Sequence, residues 1–156
     1  MFVVCYEISK KQVEADNRLT SGCCLDNLSA LGFSSCEDMD EEQREHALEA
    51  FPAIFPKGMF TRIGKDVFRY NGGYAKLETD FVLKLKSLME KLPTHNVLES
   101  LGELSFRMDH PLGNTRFYFG DIFPAVESDF YFMRFFLKNL QEGDIVYIGG
   151  CVNFQY

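Results

Sequence analysis

Residues 103–119 read ELSFRMDHPLGNTRFYF, and the choice between strand and helix for the first half decides the fold. Leu104, Phe106 and Met108 alternate with polar residues, Phe117 and Phe119 repeat the pattern, and His110, Pro111, Leu112, Gly113 and Asn114 between them supply loop chemistry. A period of two marks a half-buried strand, so the stretch predicts a hairpin with strands at 103–109 and 115–119.

The flanks predict helices. Between residues 77 and 92, Leu77, Phe81, Val82, Leu85, Leu88, Met89 and Leu92 share one arc of a helical wheel, the mark of a one-sided amphipathic helix. A second helix is expected over 125–140, stopped by Gly143, and a closing strand over 144–154 with a bulge or bend at Gly149 and Gly150. Upstream, 59–63 and 67–70 read as short strands joined at Gly64, with Asn71, Gly72 and Gly73 as the next turn. From residue 66 the order is β-α-β-β-α-β, which predicts an α+β, ferredoxin-like fold over 66–156. Its antiparallel or mixed sheet would carry two amphipathic helices on one face.

The front of the chain adds a strand over 2–8 and three helices. One starts at the Ser9 and Gln12 capping pair and runs to Asn17. A second carries Cys24, Leu28 and Leu31 and stops at Gly32, and the third opens with Asp40 and Gln43, buries Ala47, Leu48 and Phe51, and ends at Pro52. These pieces are expected around the sheet's edge or opposite face. At 156 residues the chain suits a single domain, divided here into an acidic part, 1–56, and a sheet part, 57–156. With 46% apolar and 25% charged residues it has the balance of a globular protein, and sixteen Phe and seven Tyr predict a core built of rings.

Charge is segregated. The first 56 residues hold four Lys and Arg against eleven Asp and Glu, and the remaining hundred hold twelve of each. Glu37, Asp38, Asp40, Glu41, Glu42, Glu45 and Glu49 crowd thirteen residues in which Arg44 is the one permanent cation. A net charge of −7 argues against tight, sequence-independent binding to nucleic acid and favours a basic protein partner. No run reaches the roughly 20 apolar residues of a membrane helix, and the apolar start is followed, not preceded, by Lys10 and Lys11 as a signal peptide would require. Five Cys without a C-x-x-C spacing suit reduced thiols, so a cytoplasmic, membrane-free protein is expected.

Catalytic and cofactor motifs are missing from the pattern. Three His without metal-ligand spacing predict no metal site, and no Walker, dinucleotide or nucleophile-elbow motif predicts a cofactor or a catalytic residue. Arg107, Asp109 and His110 still offer a cation, a carboxylate and an imidazole near one loop, and with Arg116 and Asp121 they form the alternative: a small hydrolase or nuclease. Tyr131 and Phe135, four residues apart on the expected last helix, form a patch outside its main apolar arc. They are expected either under the N-terminal segment or in an interface, including that of a homo-oligomeric structural or regulatory domain.

Two short stretches resemble known families. Tyr70, Asn71, Gly72, Gly73 and Tyr74 look like a stretch of the small antirestriction proteins of plasmids, a likeness of five residues followed here by an amphipathic helix where that family has an aromatic strand. Phe2 to Ser9 resembles the first strand of small ferredoxin-like ribonucleases of the CRISPR-adaptation and VapD type, whose strand ends in a carboxylate; Glu7 is the counterpart. The leading expectation remains a non-catalytic protein that occludes or sequesters a basic protein, as an immunity or inhibitor protein does. Glu37, Asp38, Asp40, Glu41, Glu42 and Glu45 would steer it, and Tyr131 and Phe135 would anchor it.

Overall fold

The last strand organises the others. In the computed structural model, which describes residues 2–120 and 122–156, β7 (Ile145–Gln155) pairs along nearly its whole length with β1 (Phe2–Ser9), antiparallel. Its other edge is divided between two short strands. β4 (Val67–Tyr70) pairs with residues 145–147, and β2 (Ser35–Asp38) with residues 152–155. β3 (Phe60–Arg62) extends the sheet beyond β4. On the far side β5 (Arg116–Phe119) lies parallel to β1, and β6 (Phe123–Ser128) closes that edge. The result is one mixed sheet of seven strands, in the order β3-β4-β7-β1-β5-β6 with β2 beside β7.

The ferredoxin-like order is not what forms. Residues 103–109 are helical, the C-terminal half of α4 (Val97–Asp109), which follows α3 (Tyr74–Glu90) to make a helical hairpin. The alternation of Leu104, Phe106 and Met108 concealed a second pattern: Val97, Leu101, Leu104 and Met108 recur at helical spacing, and Glu103 and Arg107 form an i,i+4 ion pair at 2.9 Å. The segment expected as one helix over 125–140 begins as β6 and turns helical only in α5 (Asp129–Phe135). Pro124 is tolerated in that strand because β6 is a sheet edge.

The N-terminal strand is not peripheral either: β1 lies in the middle of the sheet, between β7 and β5. The helices expected over 9–17 and 24–31 shrink to a 3-10 turn at Ala15–Asn17 and to short turns leading into α1 (Leu28–Leu31). α2 (Glu41–Ala50) starts as expected, its capping box formed by Asp40 and Gln43.

Each face of the sheet has its own core. Tyr6, Ile8, Phe68, Phe117, Val146 and Ile148 pack beneath α2, the turn Phe51–Ile54 and α5, where Phe132 stacks on Phe117 at 3.9 Å and 11°. On the opposite face Val3, Cys5, Val152 and Phe154 lie under the loop bearing Leu19, Cys24 and Phe33. A strand should send residues of one parity to one face, yet Val146 and Ile148 join the first core and Val152 and Phe154 the second. The bulge expected at Gly149 and Gly150 makes the switch: Tyr6 pairs with Cys151 and Ile8 with Ile148, which leaves one residue of β1, Glu7, opposite two of β7.

That bulge admits no side chain. A Cβ on Gly150 would collide with the Leu19 carbonyl, and one on Gly149 would meet the Glu7 carboxylate. Glu7 is buried there and accepts from the Leu19 amide at 2.6 Å. Desolvation raises its pKa above the usual carboxylate value, against the opposing pull of its backbone donors and of Arg18 and Arg44. On the outer edge of β7, between β4 and β2, the buried Arg44 guanidinium donates to the carbonyls of Ile148 at 3.1 Å and Gly149 at 2.8 Å. The lone cation of the acidic stretch thus satisfies carbonyls that no strand reaches. Asp66 lies 3.4 Å from Arg44 and 3.6 Å from Arg18.

Candidate functional site

The acidic front is partly engaged by the protein itself. Asp38 accepts from the Ser21 amide at 2.6 Å, and Asp40 from the Gln43 amide at 2.8 Å as the helix cap. Arg62 grips Glu45 with two hydrogen bonds of 2.8 and 3.0 Å and holds its carboxyl below the ordinary value. Glu41 stands 3.8 Å from Lys65, both largely in solvent. Glu37, on β2, and Glu42, on α2, are exposed and make no ion pair among the described residues. The six carboxylates singled out from sequence therefore do not act alike.

Tyr131 and Phe135 do stack, at 6.0 Å and 10°. Phe135 is half-buried against the first core with Arg134 over its ring at 5.0 Å, while Tyr131 is 42% exposed. The larger apolar surface is elsewhere. On α3 and α4, Val82, Leu83, Met89, Val97, Leu98, Leu101, Phe106 and Met108 are all at least 40% exposed, Leu98 reaching 86%.

At the foot of that hairpin a polar cluster converges. His110 follows α4, Arg116 opens β5 and Asp129 opens α5. His110 Nδ1 and Asp129 Oδ1 are 2.9 Å apart, and Asp129 Oδ2 accepts from the Leu112 amide at 2.7 Å. Asp129 is fully buried, and desolvation pushes its pKa up to about 7. Burial and the Arg116 charge push that of His110 down. Arg116 Nη1 lies 3.2 Å from His110 Nδ1 and donates to Asn114 Oδ1 at 2.9 Å, with its guanidinium over the Phe33 ring at 5.3 Å. These partners fix the imidazole. His110 Nε2 has no hydrogen-bond partner among the described residues.

A cleft of about 460 Å³ opens between α3 and α4, and His110 lines one end of it. Its walls are Phe81, Leu85, Leu88 and Phe106, with Lys84, Glu103 and Arg107 at the rim. An imidazole oriented through Nδ1 can accept or donate a proton at Nε2, and the cleft gives it a place to meet another molecule. The sequence singled out His110, Arg107 and Arg116 but missed Asp129, nineteen residues beyond the histidine. The available signal was a carboxylate immediately ahead of the aromatic run Phe130, Tyr131 and Phe132. Asp109 is exposed and outside the cluster, and Asp121 lies outside the described residues.

Glu7 is no free carboxylate at a strand end, being closed in by the bulge. Tyr70 to Tyr74 form a turn with positive φ at Gly72 and Gly73, and the Tyr70 hydroxyl accepts from the Tyr74 amide at 3.1 Å. Among the described residues no three His, Cys, Asp or Glu side chains are grouped to hold a metal ion, and no helix is long and apolar enough to cross a membrane. The five cysteines are free thiols, four of them buried. Comparison with family models, curated proteins and solved structures finds no match to this chain.

Proposed function

We propose that the chain is a non-catalytic binding protein that occludes a basic protein partner, with the α3–α4 hairpin as its contact element and the acidic front as its steering charge. The observation that carries this reading is the number of exposed large apolar side chains on the hairpin, Leu98 the most exposed of them. Charge complementarity argues for a basic occupant: Glu37 and Glu42 remain unpaired among the described residues in a molecule of net charge −7. Tyr131, exposed on α5, supplies a further ring.

The test is affinity capture from native-cell extract at low and high salt, with the captured protein identified. The expected result is a basic protein retained at low salt, released as salt rises, and lost with Leu98→Ser plus Leu101→Ser. Retention of the same protein by that variant contradicts the reading, as does an acidic captive or binding only to a second copy of the chain. Glu37→Lys with Glu42→Lys should weaken capture at low salt.

The convergence of His110, Asp129 and Arg116 beside a cleft favours a second reading, a small hydrolase in which His110 Nε2 handles a proton. None of the residues lining the cleft is a Ser, Thr or Cys, so the attacking group would be water.

A further inference from the structure

We infer that the α3–α4 cleft binds an unbranched organic carboxylate, its hydrocarbon chain on Phe81, Leu85, Leu88 and Phe106 and its head at Lys84 and His110. This inference shares Phe106 with the exposed side chains of the protein-binding reading but not its named contacts, since Leu98 and Leu101 do not line the groove.

Three observations define the ligand class. First, the groove is elongated. A second hollow of about 120 Å³, reaching Lys91 and Leu92, shares Leu88, Glu103 and Arg107 with the main cleft. From Phe81 to Glu90, its last residue, α3 rises roughly 13 Å. A compact ligand would leave half of this apolar length wet, whereas an extended chain covers it and removes the exposed Phe106 ring from water.

Second, the rim carries an unanswered positive charge. Glu103 is engaged by Arg107 at 2.9 Å, and Lys84 has no ion-pair partner among the described residues. The rim is therefore net cationic within an acidic protein, which selects an anionic head over a cationic one. Third, the cleft ends on an imidazole that is held from behind. Nδ1 is bonded to Asp129, Asp129 is bonded to the Leu112 amide, and Nε2 is left for a group inside the cleft. In the tautomer whose Nδ1 accepts from a protonated Asp129, Nε2–H donates to a carboxylate oxygen. A fixed polar atom and a cation lining the same apolar groove are what a carboxylate head requires.

Dodecanoate below its micellar concentration is the probe, titrated calorimetrically into the full chain. One equivalent should bind, and dodecyltrimethylammonium should not. Lys84→Glu, an exposed substitution, should weaken dodecanoate about tenfold, and the imidazole NMR signals of His110 should move on binding. Leu98→Ser, at the most exposed apolar position, should leave the affinity unchanged. The inference is overturned by the absence of binding, by equal binding of the ammonium surfactant, or by several equivalents that respond to Leu98→Ser and not to Lys84→Glu. The last result would trace the binding to the hairpin's outer surface and leave the protein-binding reading standing.

Discussion

The β1–β7 bulge and the α3–α4 hairpin receive opposite treatment from one chain. At the bulge Gly149 and Gly150 leave no room for a methyl group, Glu7 is buried, and Arg44 satisfies the β7 carbonyls between two partner strands. In the hairpin α3 buries only Leu77 and α4 buries nothing, while eight large apolar side chains face solvent. Stability is therefore concentrated in the sheet, and the hairpin's surface is available for contact. The same substitution made in the two places should have effects of different size or sign.

Gly150→Ala should cost most. The methyl group meets the Leu19 backbone rather than a movable side chain, and the expected loss is about 3 kcal/mol or more, read as a drop of roughly 10 °C in thermal midpoint. Arg44→Met comes next at about 3 kcal/mol, because it strands two carbonyls and leaves Asp66 with only the more distant Arg18. Its counterpart Arg107→Met, which breaks the exposed pair with Glu103, should fall within about 0.5 kcal/mol of wild type.

The capping box at Asp40 and Gln43, the turn at Gly72 and Gly73 and the bulge glycines were legible in sequence because each is decided within a few residues. The arc of α3 was legible as well, but amphipathicity says only that a helix has an apolar side, and here Leu77 alone of that side is buried while Val82 and Met89 are exposed. Residues 103–109 failed because the alternation of Leu104, Phe106 and Met108 fits period two as well as the longer helical pattern from Val97. The placement of β1 in the middle of the sheet depends on pairing with β7 and β5, more than a hundred residues away, and no local pattern encodes that. The candidate site divides the same way. His110 stood out by its chemistry, whereas Asp129 reaches it only through the packing of α5 against α4 and β5.

The Asp129 carboxyl gives a pH-dependent contrast of intermediate size. Its pKa rises from 3.8 to about 7 on folding, so its contribution is complete below about 4 and is lost as pH rises toward 7. The stability difference between wild type and Asp129→Asn should therefore fall across that window in denaturant titrations. His110 contributes with the opposite sign, losing stability as pH falls through its lowered value. The smallest effect belongs to the hairpin. Gly102 sits mid-helix in α4, and a methyl group added there would meet nothing within 4 Å. Gly102→Ala should therefore gain roughly 0.5–1 kcal/mol, where Gly150→Ala loses several times that.

Equilibrium unfolding of the triple variant Leu83→Ser, Leu98→Ser and Leu101→Ser tests the separation most directly. Its three side chains are 57%, 86% and 44% exposed. The account predicts a stability within about 1.5 kcal/mol of wild type with an unchanged denaturant slope. A loss of several kcal/mol, comparable to that of Gly150→Ala, would mean that these side chains hold the fold together and are not a surface kept for another molecule.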